Sequence, residues 1–151
     1  MSGRRPEAWR RGSAIIEFAL SFALMFPLFT GVFQFGYVFY VYNRLENAVR
    51  AGARYASLRT YDSATDTPSD AYLAAVRSLV LYGDPGGGAQ PIVPGLATGN
   101  VSVTMTMDRN VPRQVSVAIA SFQIDAVFTK IQLTGKPRAA FTYVGRFAPP
   151  G

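Results

Sequence analysis

Glu17 is the first residue whose chemistry needs a partner. It stands among Ile15, Ile16, Phe18 and Leu20, at the edge of a long apolar run. A carboxylate in lipid costs roughly 2.5–3.5 kcal/mol at the bilayer centre and less near the headgroups. Two outcomes are open: Glu17 reaches water at headgroup level, or it meets a cation. The remaining chemical kit is small. The sequence has no Cys and no His, which removes metal sites built on those ligands, thiol catalysis, disulfides and imidazole relays. Nine carboxylates, some hydroxyls and two lysines are left. No carboxylate pair has a catalytic spacing, and Asp62, Asp66, Asp70, Asp84, Asp108 and Asp125 fall where turns and caps are expected. D-S-A-T-D, from Asp62 to Asp66, is too poor in oxygens for a calcium loop. Gly86-Gly87-Gly88 lacks the following Gly-Lys-Ser/Thr and the helix that a phosphate cradle requires. The expectation is a protein without an active site, metal or cofactor.

The element that positions Glu17 is the apolar run itself. From Phe18 to Tyr42 no residue is charged, and Gln34 is the one strongly polar side chain. At ~1.5 Å per residue these residues make ~37 Å of helix, enough for a hydrocarbon core of ~30 Å with some tilt. Tyr37, Tyr40 and Tyr42 gather at its end, where an aromatic belt would meet the headgroups. A domain this small could not cover so long an apolar cylinder, so a buried core helix is the poorer explanation. A cleaved secretory signal is disfavoured by the length of the run, by the lack of an A-x-A-like site after it, and by the helix-favouring sequence that follows. Arg10-Arg11-Gly12-Ser13 does not continue a twin-arginine pattern. Arg4, Arg5, Arg10 and Arg11 precede the run, offset by Glu7, so half of the +6 net charge lies in the first twelve residues. The basic balance therefore speaks for membrane targeting more than for nucleic acid. Arg44, Arg50, Arg54 and Arg59 follow the span and nearly cancel the positive-inside bias. A cytoplasmic N-terminus is expected because it leaves only the short leader inside.

Arg10-Arg11-Gly12-Ser13-Ala14-Ile15-Ile16-Glu17-Phe18 resembles a prepilin processing site: a short basic leader ending in Gly, then an apolar helix with Glu at its fifth residue. The next signals are Phe35-Gly36-Tyr37 and the stretch Tyr42-Asn43-Arg44-Leu45-Glu46-Asn47-Ala48-Val49-Arg50-Ala51-Gly52-Ala53-Arg54-Tyr55-Ala56. Together, over the first ~58 residues, they resemble the TadE-like family, pseudopilins of the tight-adherence (Flp-type) pilus system within the type IV pilin superfamily. The resemblance implies cutting by a membrane prepilin peptidase between Gly12 and Ser13, and a single-pass protein of the bacterial inner membrane with its head outside the cytoplasm. It also implies a minor subunit or assembly factor whose partners are pilin subunits and the Tad-type assembly machinery. The new Ser13 amine would be the cation for Glu17 of an adjacent subunit, fixing axial register in a low dielectric. Glycine before the cut suits a protease cleft that takes extended chain.

Within the expected span, 13–42, Pro27 removes the N–H that would bond Ala23 and should kink the helix. Ala19, Ala23, Gly31 and Gly36 would permit close helix packing in the membrane. The helix is expected to continue over 43–58, with Leu45, Ala48, Val49, Gly52, Tyr55 and Ala56 on one stripe and Arg44, Arg50 and Arg54 off it. The extracytoplasmic head is expected over 43–151. After the polar stretch Thr60–Ser69, Thr67-Pro68-Ser69-Asp70 predicts a helix over 68–82 with Thr67 as N-cap and Gly83 as C-cap. Asp84 to Asn100 is expected to be loop. Val101 to Met107 alternates strictly and predicts a strand; a turn follows, with Pro112 outside the ladder, and then a second strand over 114–120. Phe122 to Leu133 shows no two-residue period over its length and suggests a helical turn. A third strand is expected over 138–145. Two or three such strands need a helix to cover them. The fold class is therefore α+β: a long transmembrane helix running into a head with a second helix and a two- to three-stranded antiparallel sheet. A second function has its own signal: Arg109 and Arg113 in the hairpin suit a tip or adhesion module, on a permanent anchor, that contacts DNA or an acidic surface. Two arginines near a turn are ordinary, so nucleic acid is not the expected partner.

Overall fold

The computed structural model describes residues 8–126 and 128–149. Of the leader expected over residues 1–12, the first seven lie outside the described residues. The elements in order are α1 (Ala8–Leu58), α2 (Asp70–Tyr82), a 3-10 turn (Thr98–Asn100), β1 (Val101–Asp108), β2 (Val111–Ile119), β3 (Ser121–Asp125), β4 (Lys130–Thr134) and β5 (Arg138–Thr142). The class is α+β, with a long apolar N-terminal helix, a second helix and antiparallel sheet. Two units divide the chain, Met1–Tyr37 and Val38–Gly151.

In the first unit α1 stays helical on both sides of Pro27. Every large apolar side chain from Ile15 to Phe35 is more than half exposed, from 53% at Phe26 to 78% at Phe35. Among the described residues α1 is the one helix long and apolar enough to cross a membrane. A continuous apolar surface of this size has no stable place in water.

The second unit is built on the last third of α1. Val41, Leu45, Ala48, Val49, Ala53 and Ala56 are buried, while Arg44, Arg50 and Arg54 are exposed. The same three-and-four spacing reaches back to Val38, which packs against this core. Core packing therefore begins five residues ahead of the expected boundary at 43, while Phe39 and Tyr40, on the other side of the same turns, remain exposed. Tyr72, Val76, Val80 and Leu81 of α2 complete one side of the core. Val101, Val103 and Met105 of β1, with Val115, Val117 and Ile119 of β2, form the other. The main sheet has the order β1-β2-β5, all antiparallel, with Val103 opposite Val117 and Val117 opposite Ala139.

The structure moves three sequence expectations. The cap of α2 is Ser69, not Thr67: Ser69 Oγ accepts the Tyr72 N–H at 3.2 Å and donates to Asp62 Oδ1 at 2.6 Å, and Gly83 closes the helix at φ 77°. Pro68 is buried outside the helix, so the first turn starts two residues later than expected. Pro112 lies inside β2, paired with Met107, at a register shift between Thr106 and Met107; a bulge is one of the places where a strand tolerates a missing N–H. Residues 122–133 hold no helical turn among those described. β3 and β4 form a separate two-stranded ribbon, with Phe122 opposite Leu133 and Ile124 opposite Ile131.

Candidate functional site

The candidate site residues Gly12, Ser13, Glu17, Ala19, Ala23, Pro27, Gly31 and Gly36 all lie on α1, in the first unit. Gly12 is helical, and Gly12, Ser13 and Glu17 are all exposed. Ser13 and Glu17 stand one helical turn apart, so their side chains share a face. Glu17 makes no hydrogen bond or ion pair with any described residue. Among the described residues its carboxylate has no cation to hold it at the edge of the apolar surface.

Ala19, Ala23, Pro27 and Gly31 recur every fourth residue and form one slowly drifting stripe. Gly36 lies about 140° round the helix from Gly31, so the geometry does not bring it into that stripe. A Cβ added at Gly31 or Gly36 would meet nothing within 4 Å, which leaves open space at both glycines. The neighbouring face carries a feature that the sequence reading missed: Phe18, Phe22 and Phe26 stack in a ladder, with ring centroids 6.2 and 5.6 Å apart. Its signal was present as F-x-x-x-F-x-x-x-F, the spacing at which helical side chains meet.

A second missed feature anchors the head's C-terminal segment to its helices. Tyr61 and Tyr72 are fully buried, and their rings meet edge to face at 5.3 Å. Tyr61 Oη donates to Thr65 O at 2.7 Å, and Tyr72 Oη donates to Ala56 O. Tyr143 Oη accepts the Tyr61 N–H at 2.9 Å and shares its one proton between Arg59 O and Arg146 O, at 2.8 and 2.7 Å. Burial raises the pKa of all three phenols above the usual tyrosine value; the Asp62 carboxylate adds to each shift and Asp66 to that of Tyr61. Uncharged, satisfied hydroxyls of this kind are structural supports. No short motif announces them, because the three tyrosines are far apart in sequence.

Three of the aspartates have the roles expected of turn and cap residues. Asp62 bonds the α2 cap, Asp84 Oδ1 accepts the Gly86 N–H at 2.7 Å, and Asp108 pairs with Arg113. Arg109 and Arg113, named for the alternative function, do come together at the β1–β2 turn, where both line one open pocket.

No curated protein and no solved structure matches the chain. The stretch that carries Gly12, Ser13, Glu17 and the exposed apolar run of α1 does match: residues 12–54 fit the family model described as TadE-like protein, and the likeness covers this N-terminal part of the chain.

Proposed function

We propose that this protein is a pseudopilin of a Flp/Tad-type pilus, acting as a minor subunit or assembly factor and processed by prepilin peptidase after Gly12. The observation that carries this reading is the match of residues 12–54 to the TadE-like model, centred on an exposed apolar helix with Glu17, unpartnered among the described residues, near its start. TadE-like proteins are structural components of a pilus system, and a single N-terminal span fits a single-pass membrane protein. In the proposed arrangement the inner membrane holds the apolar part of α1, within residues 13–42, the N-terminus is cytoplasmic and the second unit lies outside. After cutting, the Ser13 amine of one subunit meets Glu17 of the next. Side-chain packing then proceeds through Ala19, Ala23 and Gly31 on one face, with Gly36 serving a different neighbour.

Gly12 is helical in the uncut chain, and peptidases take extended segments. The first turns of α1 must therefore unwind for the cut. Glycine lowers that barrier, since it disfavours a helix interior by about 1 kcal/mol relative to alanine. The test is the intact mass and N-terminal sequence of the membrane-extracted protein, made with and without its peptidase. The expected product begins at Ser13 only when the peptidase is present. A chain that keeps its leader under both conditions would refute the processing step and point to a permanent anchor.

A further inference from the structure

The tip of the β1–β2 hairpin has features that a pilus role does not use. Two residues, Arg109 and Asn110, join the strands, at φ 50° and 61°. Positive φ at both central positions is the geometry of a type I′ turn, in which Gly and Asn are the usual occupants. Asn110 fits that preference, but Arg109 bears the steric cost of a Cβ in the left-handed region. Strain of this kind persists where the direction of a side chain matters.

Arg109 borders an open pocket of about 380 Å³ together with Val111, Pro112, Arg113, Val144 and Phe147. That volume falls within the range of small-ligand sites. One side of the wall is apolar, with Val111 and Val144 48% and 69% exposed, and Asp108, Arg109 and Arg113 line the other side. The two guanidiniums differ. Arg113 Nε donates to Asp108 Oδ2 at 3.3 Å, so its charge is already met. Arg109 makes no hydrogen bond or ion pair with any described residue. Thr142, the last residue of β5, also lines the pocket, and β5 is an outer strand of its sheet. An outer strand offers backbone groups to an extended segment.

We propose that this pocket binds a peptide segment of a partner protein that carries a carboxylate beside a large apolar side chain. The apolar group covers Val111, Pro112, Val144 and Phe147, and the carboxylate accepts two parallel N–H bonds from the Arg109 guanidinium. Charge arithmetic favours this occupant over nucleic acid. A polyanion is held by several unneutralised cations, whereas this pocket presents one beside an apolar wall.

The test uses the full ¹⁵N-labelled chain in detergent micelles with two probes, N-acetyl-L-phenylalanine and its neutral carboxamide. The acid is expected to give saturable shifts at the amides of residues 108–111, 113 and 142–147, with a Kd on the order of 1 mM. The carboxamide is expected to bind roughly fivefold more weakly or worse, for want of the charge-assisted bonds. Arg109→Gln should abolish the preference for the acid while the β1 and β2 amides stay dispersed, and Arg113→Gln should keep it. Equal binding of acid and carboxamide, no saturable shift up to about 20 mM, or an undiminished acid preference in Arg109→Gln would each overturn the proposal. So would tighter, steeply salt-dependent binding of duplex DNA at the same amides, which would make the tip a polyanion surface.

Discussion

At Gly52 the two helices of the head come so close that an added Cβ would lie 2.4 Å from Cγ2 of Val80. Val80 is fully buried and β-branched, so its methyl has no second rotamer into which to swing cheaply. Two effects of Gly52→Ala oppose each other. Alanine favours a helix interior by about 1 kcal/mol over glycine, whereas overpacking a filled core costs typically about 1–3 kcal/mol. The clash is well inside van der Waals contact, so overpacking wins, and Gly52→Ala should lower stability by about 1–2 kcal/mol. Near-UV circular dichroism of the full chain in detergent, followed through denaturant, measures this. If Val80 is the cause, Gly52→Ala added to Val80→Ala should cost nothing further. A Gly52→Ala protein as stable as the parent would dismiss the account. Gly145 obeys the same logic with less room to yield, because its Cβ would meet Arg59 O at 2.6 Å and Leu58 O at 2.9 Å, both backbone atoms. The sequence exposes half of this. A small-residue stripe from Leu45 to Ala56 announces close approach, but the choice of Val80 as the neighbour depends on tertiary geometry.

The elements show where local pattern suffices and where it fails. β1 was legible because seven residues alternate without a break, and the stripe on the last third of α1 because its spacing is sustained over several turns. β3 and β4 also alternate, but out of phase. Phe122 and Ile124 are inward at even numbers, and Ile131 and Leu133 at odd ones. A window spanning both strands averages the two phases away, and the stretch then looks aperiodic. The start of α2 failed for a different reason. Thr67, Ser69 and Asp70 are all acceptable cap residues, so residue type alone cannot rank them. Three-dimensional context does: Ser69 Oγ holds the Tyr72 N–H and Asp62 at once, while Thr67 is exposed. Ser69→Ala should therefore cost about 1 kcal/mol, typical for losing an N-cap. Thr67→Ala should change stability by less than about 0.5 kcal/mol, as surface substitutions do. Denaturation midpoints of the two variants, compared at equal m-value, separate the assignments. A larger loss at Thr67 than at Ser69 would return the cap to the earlier residue.

On the scale of the whole molecule, the apolar helix was more legible than the head, because lipid imposes a simpler rule than a packed core. One long uncharged stretch with a single offending carboxylate stands out in sequence, and in the structure that stretch stays exposed while the second unit closes its own core. Magnitudes then decide what Glu17 does. Thirteen large apolar side chains from Ile15 to Phe35 are exposed. Moving them into lipid at about 1.5–3 kcal/mol each supplies tens of kcal/mol. One carboxylate costs at most roughly 2.5–3.5 kcal/mol against that, and less near the headgroups. Glu17 therefore neither prevents insertion nor is required for it, and its removal should leave the protein in the membrane fraction. In the proposed processing, peptidase action depends on the leader and on Gly12, so Glu17→Ala should also yield a chain beginning at Ser13. What the variant lacks is the anion that the Ser13 amine of a neighbouring subunit would meet. In a low dielectric, an amine left without its partner is strongly penalised, so the loss should fall on assembly. Pili counted by electron microscopy, beside the intact mass of the same membranes, test this directly. Cut and inserted Glu17→Ala protein with few or no pili is the expected result, and normal piliation would remove the register role from Glu17.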